Sequence, residues 1–466
     1  MKKISLMLLS CLISVAASAQ MTFTLNGVTA TSETNPIDGS TTLTVPAGTN
    51  LSGLITAVQV DGTTVSASQI TPNPTTTLLE YGELEVFTYN NKAYGFRFVE
   101  DVWFCAVFIS DCHTNQGSGH DGTSVADLTT ITNNIIAMGD DGTAKVNFTG
   151  VDGLPSGFVP KTSIVFCLGD IDQDKGDDGS SGEHSNFLSA TADIYKANSK
   201  HIPFIFIAGN HDISPDYWDD GSKGVTYGSS GGYHADTQTI NAIKNNNSYW
   251  SSYFDSDGAL QYFTSGSNYS FEPQHFTFKF KGVRFYCANE YWFLKPYSSP
   301  GLISNTNGTM YAPDPIINNL STFVNSHTDE PSVWMQHYSF LAGSDINRWW
   351  LDQNTSGAYR RSSNTSAYGA GSGDTEGGIA YNDETAANTL RKDPLVAIME
   401  KTLNHVHFSG HYHMFADNTY TSTVNSSNDI RDYTVAANGN TNQTNNAYVV
   451  LLKRGEGVKA VMQTKF

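Results

Sequence analysis

The chain has little charge, and positive charge is the scarcer sign. Charged residues make up 15% of its 466 residues, with 26 Lys and Arg against 45 Asp and Glu, for a net charge of −19. A uniformly acidic surface repels phosphate backbones and anionic lipid, which excludes duplex recognition by basic patches. Solubility accounts for most of such an excess, and the remainder is available to metal ions. Cysteine is also scarce. Beyond Cys11 the chain has only Cys105, Cys112, Cys167 and Cys287. Cys105, Cys167 and Cys287 lie inside apolar runs, which favours buried free thiols over disulfides. A chain of this length needs no covalent staples. Long hydrophobic runs are missing too: Ile4 to Val15 is apolar but too short to span a bilayer, and no later run is longer.

That short run has the features of an export signal. Lys2 and Lys3 precede it, and Ala17-Ser18-Ala19 follows as a small-x-small cleavage site. Residues 1–19 are therefore expected to be removed, giving a periplasmic or extracellular protein that begins near Gln20. Lipidation at Cys11 is the weaker alternative, because few residues separate it from Lys3 and the better cleavage site lies downstream.

Residues 20–99 suggest a small all-β module. Thr41 to Val45 and Ile55 to Val60 alternate in polarity, and Asp61-Gly62 is a hairpin-turn pair. Several short strands with turns between them point to an immunoglobulin-like sandwich serving as a spacer or packing module. From residue 100 to 466 the pattern changes. Val102 to Ile109, Ile164 to Leu168 and Phe204 to Ala208 are continuously apolar, as strands buried on both faces are. Helices are expected over Asn186 to Asn198 and Asp383 to Leu403, and such alternation implies an α/β domain with a helix-covered sheet. The strand-like segments Asp432 to Ala437, Ala447 to Leu452 and Val458 to Thr464 suggest a second sheet of that domain. Asn354 to Gly378, rich in Gly and Ser, reads as a lid or insertion.

Five short polar motifs end apolar runs. They are Ser110-Asp111-Cys112-His113, Gly169-Asp170-Ile171-Asp172, Gly209-Asn210-His211-Asp212, Gln336-His337 and Gly410-His411-Tyr412-His413. Polar clusters at the carboxyl ends of neighbouring strands converge on one site. Asp, Asn and His supply hard oxygen and borderline nitrogen donors, which suit zinc, manganese or iron. A His-x-His spacing can serve two centres about 3.5–4 Å apart, as two-metal hydrolysis requires. Glycines beside Asp170, Asn210 and His411 allow close backbone approach.

Other features have plainer readings. His120, His184, His234, His275 and His327 are taken as structural or solvated, and His405 and His407 as packing or hydrogen-bonding groups on one strand face. The run Asp170-x-Asp172-x-Asp174-x-Gly176 resembles a calcium loop, but its glycine is one place late and Ser181 occupies the place of the final acid. Trp250, Tyr253, Tyr291, Trp292, Trp349 and Trp350 are aromatics of the kind that mostly pack cores.

The five motifs, in this order, resemble the calcineurin-like metallophosphoesterase superfamily, of a secreted bacterial type, whose pattern is D-x-H, GD, GNH[D/E], H and G-H-x-H. The resemblance covers roughly residues 100–466. It implies a four-layer α/β/β/α sandwich and a dinuclear centre of divalent or trivalent ions. Asp111, His113 and His413 would hold one metal, Asn210, His337 and His411 the other, with Asp170 bridging. It further implies hydrolysis of phosphomono- or phosphodiesters by a metal-bridging hydroxide, with His211 as proton donor or phosphate clamp. Departures narrow the subfamily. Purple acid phosphatases have Gly where His113 stands, and a tyrosine ligand where this chain has Gln173. The segment after His413 is too short for the nucleotide-binding domain of 5′-nucleotidases. The expected substrate is a phosphoester small molecule or lipid. Alternatives are a lipid or cyclic-nucleotide phosphodiesterase, and a surface or adhesion protein that keeps the fold without activity. Intact-mass analysis of protein from its native host should show an N-terminus at Gln20; a lipid-modified Cys11 would refute that expectation.

Overall fold

The computed structural model describes residues 20–34, 38–113, 125–139, 146–154, 158, 161–171, 196, 198, 200–209, 237–263, 275–288, 315–337, 352–353, 359–360, 397–410, 413–421, 429–438 and 446–466. The expected leader, the calcium-loop-like run beyond Ile171, and Tyr291, Trp292, Trp349 and Trp350 lie outside them. So do the expected helix 186–198, apart from two isolated positions, and most of the one expected over 383–403. Of the Gly/Ser-rich stretch 354–378, only 359–360 is described. The chain divides into two compact units, residues 1–105 with 137–162, and residues 106–136 with 163–466.

The first unit contains strands β1 (Met21–Leu25), β2 (Thr31–Thr34), β3 (Thr41–Val45), β4 (Ile55–Val60), β5 (Thr63–Val65), β6 (Glu85–Tyr89) and β7 (Lys92–Glu100). They form two small sheets, β1-β4-β5 and β2-β3-β7-β6. Val58, Val45, Phe87, Phe96 and Phe98 from both sheets share one buried cluster, and Phe23 packs against Phe96 with ring centroids 4.4 Å apart. The β4–β5 turn is the one the Asp-Gly pair announces: Asp61 has φ 51° and Gly62 φ 76°, which two-residue hairpins require. The parallel β3–β7 pair departs from an all-antiparallel sandwich.

The second unit holds the strands that carry the motifs. They are β8 (Trp103–Ile109), β9 (Thr162–Cys167), β10 (Phe204–Phe206), β11 (Gln261–Tyr262), β12 (His275–Phe280), β13 (Val283–Ala288) and β14 (Pro331–Met335). After them come β15 (Asp352–Gln353), β16 (Tyr359–Arg360), β17 (Leu403–Ser409), β18 (Ala416–Thr421), β19 (Asp429–Thr434), β20 (Asn446–Lys453) and β21 (Gly457–Lys465). A five-stranded sheet runs β10-β9-β8-β20-β21, and a seven-stranded sheet runs β11-β12-β13-β14-β17-β19-β18. The two stack through aromatic rings. Phe108 lies 4.0 Å from Phe408 and Phe166 lies 4.9 Å from Phe285, centroid to centroid. Such offset stacks add to the burial of large apolar side chains. The C-terminal strands do not form a sheet of their own: β19 joins the seven-stranded sheet, while β20 and β21 join the five-stranded one.

The four-layer α/β/β/α expectation is overturned, because the described residues are mainly β. Their α-helices of eight or more residues are α1 (Val125–Ile136), α2 (Thr237–Tyr249) and α3 (Pro315–Asn325). Hairpins β12–β13, β18–β19 and β20–β21 make the sheets mixed, where an α/β alternation calls for helical crossovers. Continuous apolar runs identified the buried strands, but they do not specify what connects them. The linking sequence is rich in Ser, Thr, Asn and Gly, which are poor helix formers. The helices that do form rest on tertiary burial. Leu128, Ile131 and Ile135 repeat at helical spacing on one buried face of α1, as do Leu320 and Val324 on α3. No described helix is long and apolar enough to cross a membrane.

The aromatic stack predicts a specific cost. Phe108 is fully buried between Phe166 and Phe408. Phe108→Ala should destabilise the protein by roughly 3–5 kcal/mol, read as a lower urea midpoint at an unchanged slope.

Candidate metal centre

The expected ligands stand two to four residues beyond strand ends. Asp111 and His113 follow β8, Asp170 follows β9, and His337 follows β14. His413 follows β17 after Gly410. Sheet stacking brings these ends together, so side chains from distant parts of the sequence meet. Asp111, His113 and His413 form one group whose ligand atoms lie within 4.8 Å of one another, and Asp111, Asp170 and His337 form another. Asn210, His211 and His411 lie outside the described residues. The first group matches the expected set for one ion. In the second, Asp111 joins Asp170 and His337, so Asp111 is common to both.

The backbone is bent to make this approach. Nine residues other than glycine have positive φ among the described residues, and four of them are in the ligand set: Asp111 (49°), His113 (42°), Asp170 (48°) and His413 (56°). The left-handed region is unfavourable for such residues and persists where surrounding contacts enforce it. Those contacts are visible. Asp111 N–H donates to Gly169 O at 3.0 Å, His113 N–H to Asp170 O at 2.9 Å and Gly410 N–H to His337 O at 2.9 Å. A side chain at Gly209 would collide with the Asp170 carboxylate, and one at Gly410 with Ser110 Oγ and the Asp111 carboxylate. The glycines allow backbone to lie against the carboxylates.

Charge and orientation follow from burial. Asp111 is 0% and Asp170 1% exposed, so two carboxylates sit in a space that solvates them poorly. His337 Nδ1 donates to Leu168 O at 2.7 Å, which turns Nε2 toward Asp170 Oδ2, 3.2 Å away. His113 Nε2 lies 3.9 Å from both Asp111 Oδ1 and Asp170 Oδ2. His413 Nε2 lies 3.4 Å from Asp111 Oδ1 and 3.0 Å from His113 Nε2. His413 is the solvent-facing member, with a side chain 43% exposed. Burial alone would lower the pKa of His337, but the Asp170 and Asp111 carboxylates raise it to about 9. Burial opposes ionisation of Asp111, but the hydrogen bond from His413 and the charge of His337 hold its pKa below the usual range. The buried acids thus already attract positive charge, here as protons on imidazole. A donor set of two carboxylates and three imidazoles, with Nε2 atoms aimed at the carboxylates, fits hard or borderline cations.

The residues with plain readings behave plainly. His407 Nδ1 pairs with Asp432 Oδ1 at 2.6 Å, and His405 Nδ1 with Thr402 O at 2.8 Å. His327 Nδ1 bonds Phe323 O, and His275 is buried in β12. Trp250 is fully buried and Tyr253 partly exposed. His120, His184 and His234 lie outside the described residues. Cys105, Cys112, Cys167 and Cys287 are buried and stand in no disulfide among the described residues. Sequence reasoning overlooked Asn438, which is fully buried and contacts the backbone of Ser110 and Asp111. Its sequence signal was a sixth polar residue ending an apolar run, Val435-Ala436-Ala437.

No family model matches the chain, and no curated protein matches it in sequence. Solved structures similar to it include GAP50, the anchor in the inner membrane complex of Plasmodium. The identity is 9% and the TM-score 0.29, over 78% of this chain and 89% of that one. Similarity this low carries no argument about fold or role.

The proton on His337 would set a pH dependence for any cation held here. With its pKa raised to about 9, His337 is protonated at pH 7, and a cation taking Nε2 must displace that proton. Zinc affinity should therefore rise with pH from 7 to 9, by about tenfold per unit for one proton released, and level off above. Chelator competition at stepped pH measures this; affinity independent of pH would refute it.

Proposed function

We propose that this chain is an exported, metal-dependent phosphoesterase. In this reading it holds two divalent or trivalent cations, zinc, manganese or iron, and hydrolyses phosphomono- or phosphodiesters. The observation that carries the reading is the pair of ligand groups joined at Asp111, with Asp170 reaching both His113 and His337. Two buried carboxylates facing three imidazoles offer the charge and the donor atoms that such cations take. When bound, such cations generate a nucleophile from water near neutral pH and neutralise charge on the phosphoryl oxygens.

The chain's own residues do the rest. Asp111 and Asp170 balance the charge of the cations. The Leu168 carbonyl fixes the His337 tautomer so that Nε2 remains the donor, a constraint that commonly tunes metal-binding histidines. His413, the partly exposed ligand, marks the side from which a phosphoester enters. Asn210 and His411 complete the ligand set. His211 holds the phosphate or gives a proton to the departing oxygen.

Three variants and three substrates test this. Wild type should contain two ions per chain by elemental analysis, and Asp170→Asn should weaken both. His411→Ala should lose metal and activity together. His211→Ala should keep its metal yet lose ~10²–10⁴ in turnover, more on an alkyl phosphoester than on a nitrophenyl one, whose leaving group needs no proton. Comparing p-nitrophenyl phosphate with bis-p-nitrophenyl phosphate separates monoesterase from diesterase. Metal-replete wild type that turns over neither would remove the enzymatic reading.

A further inference from the structure

We propose that Asn438 is a positioning residue for the metal centre, holding the Ser110–Asp111 backbone in the conformation that aims the Asp111 carboxylate at His113 and His413. The inference rests on the reading of this centre as a cation site.

The argument begins with Asp111, whose φ is 49°. In extended backbone, successive carbonyls point in opposite directions. A left-handed helical residue turns its own carbonyl and the preceding one the same way. The Ser110 and Asp111 carbonyls accordingly meet one donor: Asn438 N–H lies 3.2 Å from Ser110 O and 3.0 Å from Asp111 O. The Asn438 side chain adds a further contact, Nδ2 to Ser110 O at 3.3 Å. Ser110 and Asp111 are both fully buried. Carbonyls held there without donors would carry a desolvation cost, which favours relaxation of Asp111 toward extended backbone. That relaxation would swing the carboxylate away from its partners.

Asn438 is itself held in place. Its Nδ2 donates to Asn446 O at 2.9 Å, and its Oδ1 accepts from Asn446 N–H at 2.7 Å. The two bonds close a ring on the first residue of β20. Asn446 Nδ2 returns a bond to Ala437 O at 2.7 Å. The amide therefore fixes the main-chain donor that serves both carbonyls, and ties three elements together: the exit of β19, the start of β20 and the end of β8. Removing the amide leaves the main-chain N–H but frees its position. Gly410 packs against the Asp111 carboxylate, leaving little room for a compensating shift.

The test compares zinc affinity with thermal stability in the full-length protein. Asn438→Ala should weaken zinc binding by about 10–100-fold, the scale seen when a residue that orients a metal ligand is lost. The melting temperature of the metal-free protein should be measured beside it. Phe278→Leu is the control, a core change among the rings of β12 and β13 that touches no ligand. It should lower the melting temperature and leave zinc affinity within about twofold, since Phe278 stands on β12, a strand that carries no ligand. Asn438→Leu, which keeps the side-chain shape without the amide, carries the same comparison if the alanine variant does not fold. Folded Asn438 variants with wild-type zinc affinity would overturn the proposal, as would an equal loss in Phe278→Leu. Wild type that binds no zinc, manganese or iron would overturn the cation reading itself, a result visible before any variant is made.

Discussion

Asp111 and Asp170 carry negative charge into a buried space. A carboxylate there needs donors or cations, and two together need more than one partner. The surrounding architecture meets that need from four strand ends. Imidazoles arrive from β8, β14 and β17, and the N–H groups of Asp111, His113 and Gly410 bind carbonyls of neighbouring ligand loops, tying those loops together. The raised pKa of His337 and the lowered pKa of Asp111 express one electrostatic balance from its two sides.

Meeting that balance requires sharp turns beyond the strands. Ordinary strand exits diverge, and side chains two to four residues past them would not meet. Left-handed residues at Asp111, His113, Asp170 and His413 redirect the chain, and Gly209 and Gly410 let neighbouring backbone approach the carboxylates. Each non-glycine residue in that region stores about 1–3 kcal/mol. The stack of Phe108, Phe166, Phe285 and Phe408 lies just behind these turns. Its burial offsets the local strain and gives the loops a rigid base. Stability and site geometry thus meet on three strands, β8, β9 and β17, which carry both a stacked ring and a ligand.

The first unit stands apart from this chemistry. Its core is a separate aromatic and aliphatic cluster around Val58, Phe87, Phe96 and Phe98. Its polar networks are local. Arg97 and Ser40 are paired beside Asp38, where burial works against the charge of Asp38 but the Ser40 hydrogen bonds and the Arg97 guanidinium hold its pKa down.

Much of the candidate site was legible because residue types able to hold a cation stand at strand ends. Apolar runs marked β8, β9, β10, β14 and β17, and the polar residues after them named Asp111, His113, Asp170, His337 and His413. The Asp61-Gly62 turn was equally plain, since few pairs tolerate two positive φ values. The layering of the fold was not legible. Burial of a strand shows in its own residues, but whether the next segment becomes a helix or a hairpin depends on what surface it meets. Thr- and Asn-containing α1 forms because Leu128, Ile131 and Ile135 find a core, against weak local preference. Asn438 was hidden for a related reason. A single asparagine after an apolar run has no meaning until the stacking of two sheets places it under the carbonyls of Ser110 and Asp111. By itself the sequence determined which side chains could bind a cation, because that depends on residue type. Only the tertiary structure decided which of them meet, and which backbone groups hold them there, because both depend on contacts between strands far apart in the chain.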